Sequence, residues 1–375
     1  MPKWYLSLAM LAALLALGVI VLGAYVRLSQ AGLGCPDWPG CYGHISVPGT
    51  HAAIVRADTL YANRPLLAAR AWKEMIHRYF AGSLAVLILI LAVAAWWHRR
   101  RARAPVVLPS LILLTVIFQA LLGMWTVTLL LFPPVVMGHL LGGYLTFALL
   151  VLLVLQTGGY LRAAEGAGIL LRWLAGLALA VLVCQIALGG WVSSNYAGLA
   201  CPDFPTCQAQ WWSPMNFHAA FSWHGLGPDY QGGILSDPAR IAIHVTHRLG
   251  ALATFIMVIV TGLFFLFKGR RSALKWLGAL ACILVIAQAA IGISMVHWAL
   301  PLALTDSHTS VAALLLATLV ALNWATWVRP VSAAGKRSTM EPATNEEALN
   351  DCIIVIPVKA GIHSNPEDRH PPSRV

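Results

Sequence analysis

Eight uncharged, apolar runs constrain this chain more than any other feature of its sequence. They lie near residues 5–26, 79–97, 106–131, 139–161, 173–194, 249–267, 276–300 and 308–328. Each run is long enough to cross a bilayer as a helix. The composition agrees, because only 10% of the 375 residues are charged, against about 25% in soluble proteins. The sequence therefore predicts an all-α polytopic membrane protein with eight transmembrane helices and excludes a soluble domain.

Basic residues in the short connections predict the orientation. The connections 98–105 and 268–275 each contain four Lys or Arg residues, whereas the short connections on the other side contain none. By the positive-inside rule both termini are cytoplasmic, and two long loops, about 28–72 and 195–240, face the periplasm or cell exterior. The net charge of +11 is therefore mostly a topology signal and does not indicate nucleic acid binding. We expect a multi-pass protein of the bacterial cytoplasmic (inner) membrane.

The two ends of the chain carry simpler predictions. The first apolar run follows Met-Pro-Lys, is longer than a signal-peptide core and lacks a cleavage site before Arg27, so we expect it to be retained. The polar segment 330–375, with scattered Pro and both charge signs, is predicted to be a disordered cytoplasmic tail. Its Cys352, His363 and His370 are not expected to have a role.

An internal repeat divides the chain into two halves. Residues 23–39 match residues 189–205 at an offset of 166, and the dipeptide His-Arg recurs at 77–78 and 247–248. Gln119 and Gly123 match Gln288 and Gly292 at an offset of 169. Because each repeat holds an even number of spans, the copies keep the same orientation. We expect two tandem four-helix bundles, residues 1–165 and 166–329.

Each half carries two histidines at matched positions. The sequence predicts that each opens an even-numbered spanning helix near the outer surface, where an ionisable group is costly and therefore a functional candidate. Two inward histidines in a four-helix bundle can ligate a haem iron through neutral imidazoles. Interfacial histidines bonded to loops are the alternative, and zinc is disfavoured because no Cys/His quartet has tetrahedral spacing. The predicted iron ligands are His77 with His139 and His247 with His308.

The remaining histidines outside the tail lack this register and are assigned to loops or the membrane interface. They are His44, His51, His98, His218, His224, His244 and His297. Arg27, Arg78 and Arg248 lie at the same surface as the paired histidines. Two roles stay open for these arginines, which are binding haem propionates and snorkelling to the interface.

One carboxylate distinguishes the two halves. Of the six Glu, four lie in the tail and Glu165 lies in a cytoplasmic loop, which leaves Glu74. Glu74 precedes His77 by three residues and shares its helix face, whereas His244 takes the corresponding place in the second half. We expect a reactive first half, with Glu74 as the catalytic carboxylate, and a second half that stores or passes electrons. A helix N-terminal acid favoured by the macrodipole is the alternative.

The cysteines of the two long loops form matched pairs. Cys35 and Cys41, like Cys201 and Cys207, enclose the pattern Cys-Pro-Asp-aromatic-Pro-x-Cys on the oxidising side, which favours a disulfide in each loop. The spacing is not that of a zinc knuckle. The first pair borders the predicted reactive half and is the better redox candidate. Nearby aromatic residues are expected along the membrane interface, and they include Trp38, Trp211, Trp212 and Trp223.

Together these features resemble the haem A synthase family over about residues 5–328. The resemblance is carried by Glu74-Met75-Ile76-His77-Arg78, Gly138-His139, His247-Arg248-Leu249-Gly250, Ser307-His308 and the paired Cys-Pro-Asp loops. It implies oxidation of a ring methyl of haem O to the formyl group of haem A, through hydroxylated intermediates, for terminal oxidases. It also implies that the first histidine pair holds the substrate haem beside Glu74, that the second ligates a resident haem b, and that Cys35 and Cys41 contribute to activity.

The partners expected from this resemblance are membrane lipid, a haem O synthase (farnesyltransferase) as supplier, and terminal oxidase assembly as recipient. The electron donor is not identified by the sequence, and a homo-oligomer stays open. Two other functions use the same histidines: a bis-histidine membrane cytochrome b for quinol-linked electron transfer, and a haem carrier. Glu74, which lies beside one histidine pair and has no counterpart beside the other, favours the enzyme.

Overall fold

The chain is helical through most of the residues that the structure describes. The computed structural model describes residues 2–102, 105–161, 168–222, 225–269 and 271–327. Within these residues the chain forms ten helices, of which all but α2 and α7 are long and apolar enough to cross a membrane. They are α1 (Lys3–Leu28), α2 (His51–Leu60), α3 (Ala68–Ala102), α4 (Val107–Thr128), α5 (Pro133–Gly158), α6 (Ile169–Ser194), α7 (Phe217–Phe221), α8 (Asp237–Lys268), α9 (Ser272–His297) and α10 (Leu302–Trp327). The all-helical class and the eight spans are confirmed. The predicted tail 330–375 lies outside the described residues.

The four histidine-bearing helices begin earlier than the apolar runs indicate. α3 begins at Ala68, α5 at Pro133, α8 at Asp237 and α10 at Leu302. The prediction that the histidines open these helices is therefore wrong, because each lies roughly two to three turns inside. The apolar runs miss these first turns since they contain Pro, Asp, Arg or Lys, residues that a helix tolerates at its N-terminus or beyond the hydrocarbon core.

The spanning helices pack in the same pattern in the first part of the chain and in the second. α1 packs against α3 and α5, and α4 packs against the same two helices. In the same way α6 and α9 each pack against α8 and α10. The halves meet through contacts of α10 with α1 and α5, and of α5 with α6. α10 is accordingly well buried, and its Leu315, Leu319 and Leu322 are inaccessible to solvent.

Large apolar side chains cover the outside of the helices. Trp97, Leu114, Trp173 and Trp276 are each more than three-fifths exposed. An apolar surface of this extent is typical of a protein that contacts lipid. Some polar groups inside the protein are paired between helices, as where the Tyr144 hydroxyl donates to the Thr309 carbonyl oxygen at 2.9 Å.

In each half one long segment connects the first spanning helix to the second. Residues 29–67 join α1 to α3 and contain α2, where the Thr50 hydroxyl caps the first turn by accepting from the Ala53 amide at 3.3 Å. Residues 195–236 join α6 to α8 and contain α7. Trp211 and Trp212 of the second segment are about three-quarters exposed, while Trp223 lies outside the described residues. The first segment leads into the N-terminus of α3, and the second leads into the N-terminus of α8.

Candidate functional site

The four histidines lie half-buried on α3, α5, α8 and α10. His77 lies near His139, and His247 lies near His308. The structure therefore brings together the two pairs that the repeat predicts. In each pair the histidines come from the second and fourth spanning helices of one half.

A glycine of the neighbouring helix packs against each imidazole. Without a side chain, these glycines let the ring lie against the helix backbone, and an added Cβ would approach the ring more closely than most real contacts allow. The distances from such a Cβ to the ring Cε1 are 3.0 Å for Gly23 and His77, 3.3 Å for Gly123 and His139, 3.2 Å for Gly189 and His247, and 3.1 Å for Gly292 and His308. The glycines thus set the position of all four rings.

Glutamine amides contact the Nδ1 atoms of two of these rings. The Gln185 amide nitrogen lies 3.0 Å from Nδ1 of His247 and 3.0 Å from the carbonyl oxygen of that residue. With its nitrogen turned towards the ring, the Gln119 amide lies 2.8 Å from Nδ1 of His139 and 3.0 Å from its carbonyl oxygen. The amide presents nitrogen to an unprotonated Nδ1, or oxygen to an Nδ1 that carries the ring proton. The second case is that of an imidazole that binds a metal through Nε2.

The ring nitrogens suit axial ligation of a haem. No described residue makes a hydrogen bond to Nε2 of any of the four imidazoles, whereas Nδ1 is bonded in His139 and His247. Haem iron takes Nε2 from a neutral imidazole whose Nδ1 is held by an outer partner. The paired rings therefore fit two bis-histidine haem sites when the ring proton lies on Nδ1 and leaves Nε2 for iron.

Glu74 lies one turn before His77 and is held between an arginine and a disulfide. Its side chain is buried, with 4% of the residue exposed. Oε2 accepts a hydrogen bond from the Cys35 amide at 2.9 Å, and Oε1 forms an ion pair with Arg78. The carboxylate thus has a fixed position at the outer end of the first histidine pair.

Arg78 and Arg248 bind the two disulfide loops. Arg78 Nη1 donates to the carbonyl oxygens of Asp37 at 2.9 Å, of Pro39 at 3.2 Å and of Gly40. Arg248 donates to the carbonyl oxygens of Cys201, Asp203 and Thr206 at 2.8–2.9 Å. Arg78 therefore holds the first disulfide loop against α3, and Arg248 holds the second disulfide loop against α8. The propionate role stays a prediction for these two arginines.

The two disulfide loops share one conformation. Cys35–Cys41 and Cys201–Cys207 are disulfide-bonded, as the sequence predicts, and each loop contains a cis peptide bond before its second proline. The Asp37 carboxylate accepts from the amides of Tyr42 at 2.6 Å and Gly43 at 2.7 Å. In the second loop Asp203 accepts from the amides of Gln208 and Ala209. The Thr206 hydroxyl also bonds Asp203, and with those amides it holds the pKa of this carboxyl below its ordinary value.

The second half has a histidine where the first has Glu74. His244 is 5% exposed, and its Nδ1 makes no hydrogen bond to a described residue. Its assignment to a loop or the interface is corrected, because α8 begins seven residues before it and buries it. Among the described residues Arg248 consequently forms no ion pair like that of Arg78 with Glu74, and its hydrogen bonds go to loop carbonyl oxygens.

Arg27 joins the two halves. Its Nη2 donates to the Ser193 carbonyl oxygen at 2.7 Å, and its guanidinium lies over the Tyr196 ring at 4.1 Å from the centroid. Both partners belong to the end of α6 and the following loop. Arg27 therefore connects the outer end of α1 to that of α6, and a propionate role stays a prediction here too.

Sequence reasoning missed two features of the site. Gln185 contacts His247, and the pattern Gln-x-x-x-Gly, which occurs at 119–123, 185–189 and 288–292, could have identified it. Asp306 precedes His308 by two residues, and its Oδ1 is buried without a hydrogen-bond partner among the described residues. A spacing of two residues places Asp306 and His308 on different helix faces. The asymmetry between the halves thus concerns a glutamate beside the histidine and not carboxylates in general.

Comparison with known proteins places these features in a family. Residues 7–320 match the family COX15-CtaA, described as cytochrome oxidase assembly protein. The chain belongs to this family. It is 44% identical over 327 residues to a protein named heme A synthase from Shewanella oneidensis, covering 86% of this chain and 96% of that protein. Heme A synthases from Halalkalibacterium halodurans and Bacillus licheniformis are 29% and 26% identical and cover 84% and 82% of this chain.

The cytochrome oxidase assembly family match extends from α1 into α10 and so includes every spanning helix of the described structure. The alignments with the two more distant relatives cover 95% and 91% of those proteins, so the likeness is not confined to one half. The resemblance indicated by the ordered histidine, glutamate and cysteine motifs is confirmed.

Proposed function

We propose that this chain is a haem A synthase, a membrane oxidoreductase that oxidises the methyl group of haem O to the formyl group of haem A. One observation carries the proposal: the chain is 44% identical to a curated heme A synthase over nearly its whole length. The two histidine pairs and Glu74 supply groups that such an activity needs, which are sites for two haems and a buried carboxylate.

The first histidine pair is the proposed substrate site. His77 and His139 hold haem O as substrate, and Glu74 on the same helix holds or moves a proton at its carboxylate during oxidation of the methyl group. This assignment is supported by the burial of Glu74 and by its two fixed partners, Arg78 and the Cys35 amide. Arg78 acts as a positioning residue, since it binds Glu74 and the loop together.

The second pair, His247 and His308, is the proposed site of a resident haem b. Such a haem supplies one-electron redox chemistry when bound. Support comes from the proximity of the two rings and from the absence of a glutamate beside this pair in the described residues. Arg27, Arg78 and Arg248 stay candidates for the propionates of the two haems.

The chain is proposed to consist of two tandem four-helix halves in the same orientation, residues 1–165 and 166–329. Backbone conformation supports the duplication, because residues with positive φ recur at the repeat offsets of 166 and 169. The pairs are Gln30 and Tyr196, Tyr42 and Gln208, Leu130 and Ala299, and Leu131 and Leu300. With both termini cytoplasmic, the disulfide loops face the periplasm or cell exterior, where disulfides are stable.

The proposed partners follow from the reaction. A haem O synthase supplies the farnesylated substrate, and terminal oxidase assembly receives the product, as the family description of cytochrome oxidase assembly indicates. Oxidation of a methyl to a formyl group removes four electrons and adds one oxygen atom, so the reaction needs an external oxidant that accepts the electrons and water or dioxygen as the source of the oxygen. The lipid-facing surface lets the apolar tail of haem O approach from the bilayer.

Haem extraction and mass analysis test the function. The native chain is co-expressed with a haem O supply and compared with Glu74→Gln and His77→Ala, with retained folding checked by thermal unfolding. Haem A and a hydroxylated intermediate are expected from the native chain and should be strongly reduced in both variants. Unmodified haem alone from a folded native chain with bis-histidine spectra would reassign the protein to electron transfer or haem carriage.

A further inference from the structure

The contact between the second and third spanning helices differs between the two halves. In the second half α8 and α9 pack against each other more extensively than any other pair of described helices. In the first half α3 and α4 make the least extensive contact of any neighbouring spanning pair within a half. The two contacts occupy matching places in the repeat, so the cause lies in the residues that differ between the copies.

Glycines bring α8 and α9 together. Gly262 and Gly278 lie so close that a Cβ at Gly262 would come within 2.7 Å of the Gly278 carbonyl oxygen. A Cβ at Gly278 would in turn come within 2.6 Å of the Gly262 carbonyl oxygen. Small residues allow helix backbones to approach in this way inside a membrane. Cys282, one turn after Gly278, also reaches α8, where its Sγ lies 3.9 Å from the Ile259 carbonyl oxygen.

The first half has larger residues at the matching positions. At offsets of 170 and 169 the pairs are Ala92 for Gly262, Pro109 for Gly278 and Leu113 for Cys282. Side chains at these places leave no room for two backbones to touch. Nearer the cytoplasmic end α3 and α4 are joined, because Trp96 Nε1 donates to the Ser110 hydroxyl at 2.9 Å. The two helices are therefore connected at one end and less closely packed beyond it.

Side-chain exposure shows that the contact in the first half is open. Ala120 lies two turns after Leu113 on α4 and is exposed, whereas Ala289 at the matching place of α9 is half-buried. Leu89 of α3 is 48% exposed, whereas the matching Ile259 of α8 is half-buried. The matched residues are alike in type, so the differences come from their surroundings. Leu89 and Ala120 thus border an open groove, the α3–α4 groove.

The α3–α4 groove leads from the lipid to the first histidine pair. Among the described helices α3 contacts only α1 and α4, and α4 contacts only α3 and α5, so the groove faces away from the second half. Helix α3 carries His77, and Gly123 of α4 packs against His139. The segments 81–92 and 109–121 that border the groove contain no charged residue. The groove therefore suits an apolar chain attached to a haem at this pair.

We propose that the α3–α4 groove binds the farnesyl chain of haem O. The inference rests on the proposed function, which assigns haem O to the first pair and haem b, which has no farnesyl chain, to the second. The groove occurs in the half assigned to the farnesylated haem, and glycines close the same place in the other half. The chain extends between α3 and α4 in contact with apolar side chains, so the groove favours haem O over haem B at the first pair.

Photo-cross-linking tests the position of the chain in the native protein. A haem O analogue with a diazirine in its farnesyl chain is bound to the full-length protein in lipid nanodiscs and irradiated. Mass spectrometry of the peptides should find adducts within residues 81–92 and 109–121. Adducts on lipid alone, or only on other helices, would overturn the inference.

Filling the groove should separate the two haems. Ala120→Phe places a ring in the groove and should weaken haem O binding relative to haem B about tenfold, since overpacking displaces only the haem that carries the chain. Ala289→Phe at the matching place of α9 is the control and should leave this ratio unchanged. In both variants His308→Ala removes one ligand of the second pair, so the low-spin absorbance reports the first pair alone.

Unaltered haem B binding reports that each variant is folded. A ratio that changes less than twofold in Ala120→Phe, or equally in both variants, would overturn the inference. If a variant does not fold, the cross-links of the native chain decide.

Failure of the inference and failure of the proposed function are distinguishable. If the cross-links lie in the groove but no haem A forms from haem O, the farnesyl site stands and the function is wrong. If haem A forms while the cross-links lie elsewhere, the function stands and the farnesyl site is wrong.

Discussion

The Glu74 carboxylate accepts a hydrogen bond from the backbone amide of Cys35 at 2.9 Å. The proposed catalytic group is therefore bonded directly to a residue of the first disulfide. Arg78 binds the same carboxylate and also the carbonyl oxygens of Asp37 and Pro39 within the disulfide loop. Helix α3 and the loop thus share one polar network, in which the loop conformation sets the position of the carboxylate.

Disruption of the first disulfide should impair catalysis more than disruption of the second. The double variants Cys35→Ser/Cys41→Ser and Cys201→Ser/Cys207→Ser open loops of the same length, so each should lose about 2 kcal/mol of unfolding free energy on loop-entropy grounds. Only the first loop bonds Glu74, so haem A yield per folded protein should fall at least tenfold in the first variant and less in the second. Equal yields would contradict a link through the Cys35 amide.

Removal of Arg78 should destabilise the protein more than removal of Arg248. Arg78→Met leaves the buried Glu74 without its ion-pair partner, and breaking a buried pair costs about 3 kcal/mol or more. Arg248 donates only to carbonyl oxygens, so Arg248→Met should cost less. Thermal unfolding in detergent measures both. Arg78→Lys keeps the charge but not the planar fork. It should therefore restore part of the stability that Arg78→Met loses, without restoring the haem A yield of the native chain.

The glycines against the histidine rings predict a steric effect on haem binding. Gly189→Ala places a Cβ 3.2 Å from His247 Cε1, whereas a Cβ at Gly176 on the same helix comes no closer than 3.9 Å to any neighbour. Gly189→Ala should lower haem affinity at the second pair about tenfold by displacing the ring. Gly176→Ala should leave it unchanged and slightly stabilise α6. Low-spin absorbance during haem B titration measures the affinity, and matching curves for the two variants would refute the contact.

Asp203 should make the second loop sensitive to acid. The pKa of this carboxyl is lowered by the Thr206 hydroxyl and the loop amides, so its contribution to stability is present above its unfolded pKa, about 3.9, and is lost as pH falls through the lower folded value. Thermal unfolding of Asp203→Asn should differ from that of the native chain at pH 6, and the difference should shrink below pH ~4. Thr206→Val should move this loss of stability to a higher pH, closer to the ordinary pKa of Asp. A difference that is constant with pH would exclude the linkage.

Patterns with a fixed period or offset predicted much of this protein. Apolar runs located the eight spans, and the repeat located the histidine pairs and both disulfides. The starts of α3 and α8 were not predicted, because hydropathy ends where polar residues begin although the backbone continues as a helix. The binding of Arg78 and Arg248 to loop carbonyls was not predicted either, since carbonyl acceptors belong to every residue and leave no trace in the sequence. Gln185 was visible in principle, but only after His247 had been placed against α6.

Two polar contacts connect side chains of the first half to the backbone of the second. The Tyr144 hydroxyl donates to Thr309, and Arg27 donates to Ser193, so side chains of the first half use backbone acceptors of the second. A first half expressed alone would lose both acceptors, and the Tyr144 hydroxyl would face lipid, which offers no replacement. The first half therefore depends on the second for these acceptors, so the two halves are expected to unfold together and not one after the other.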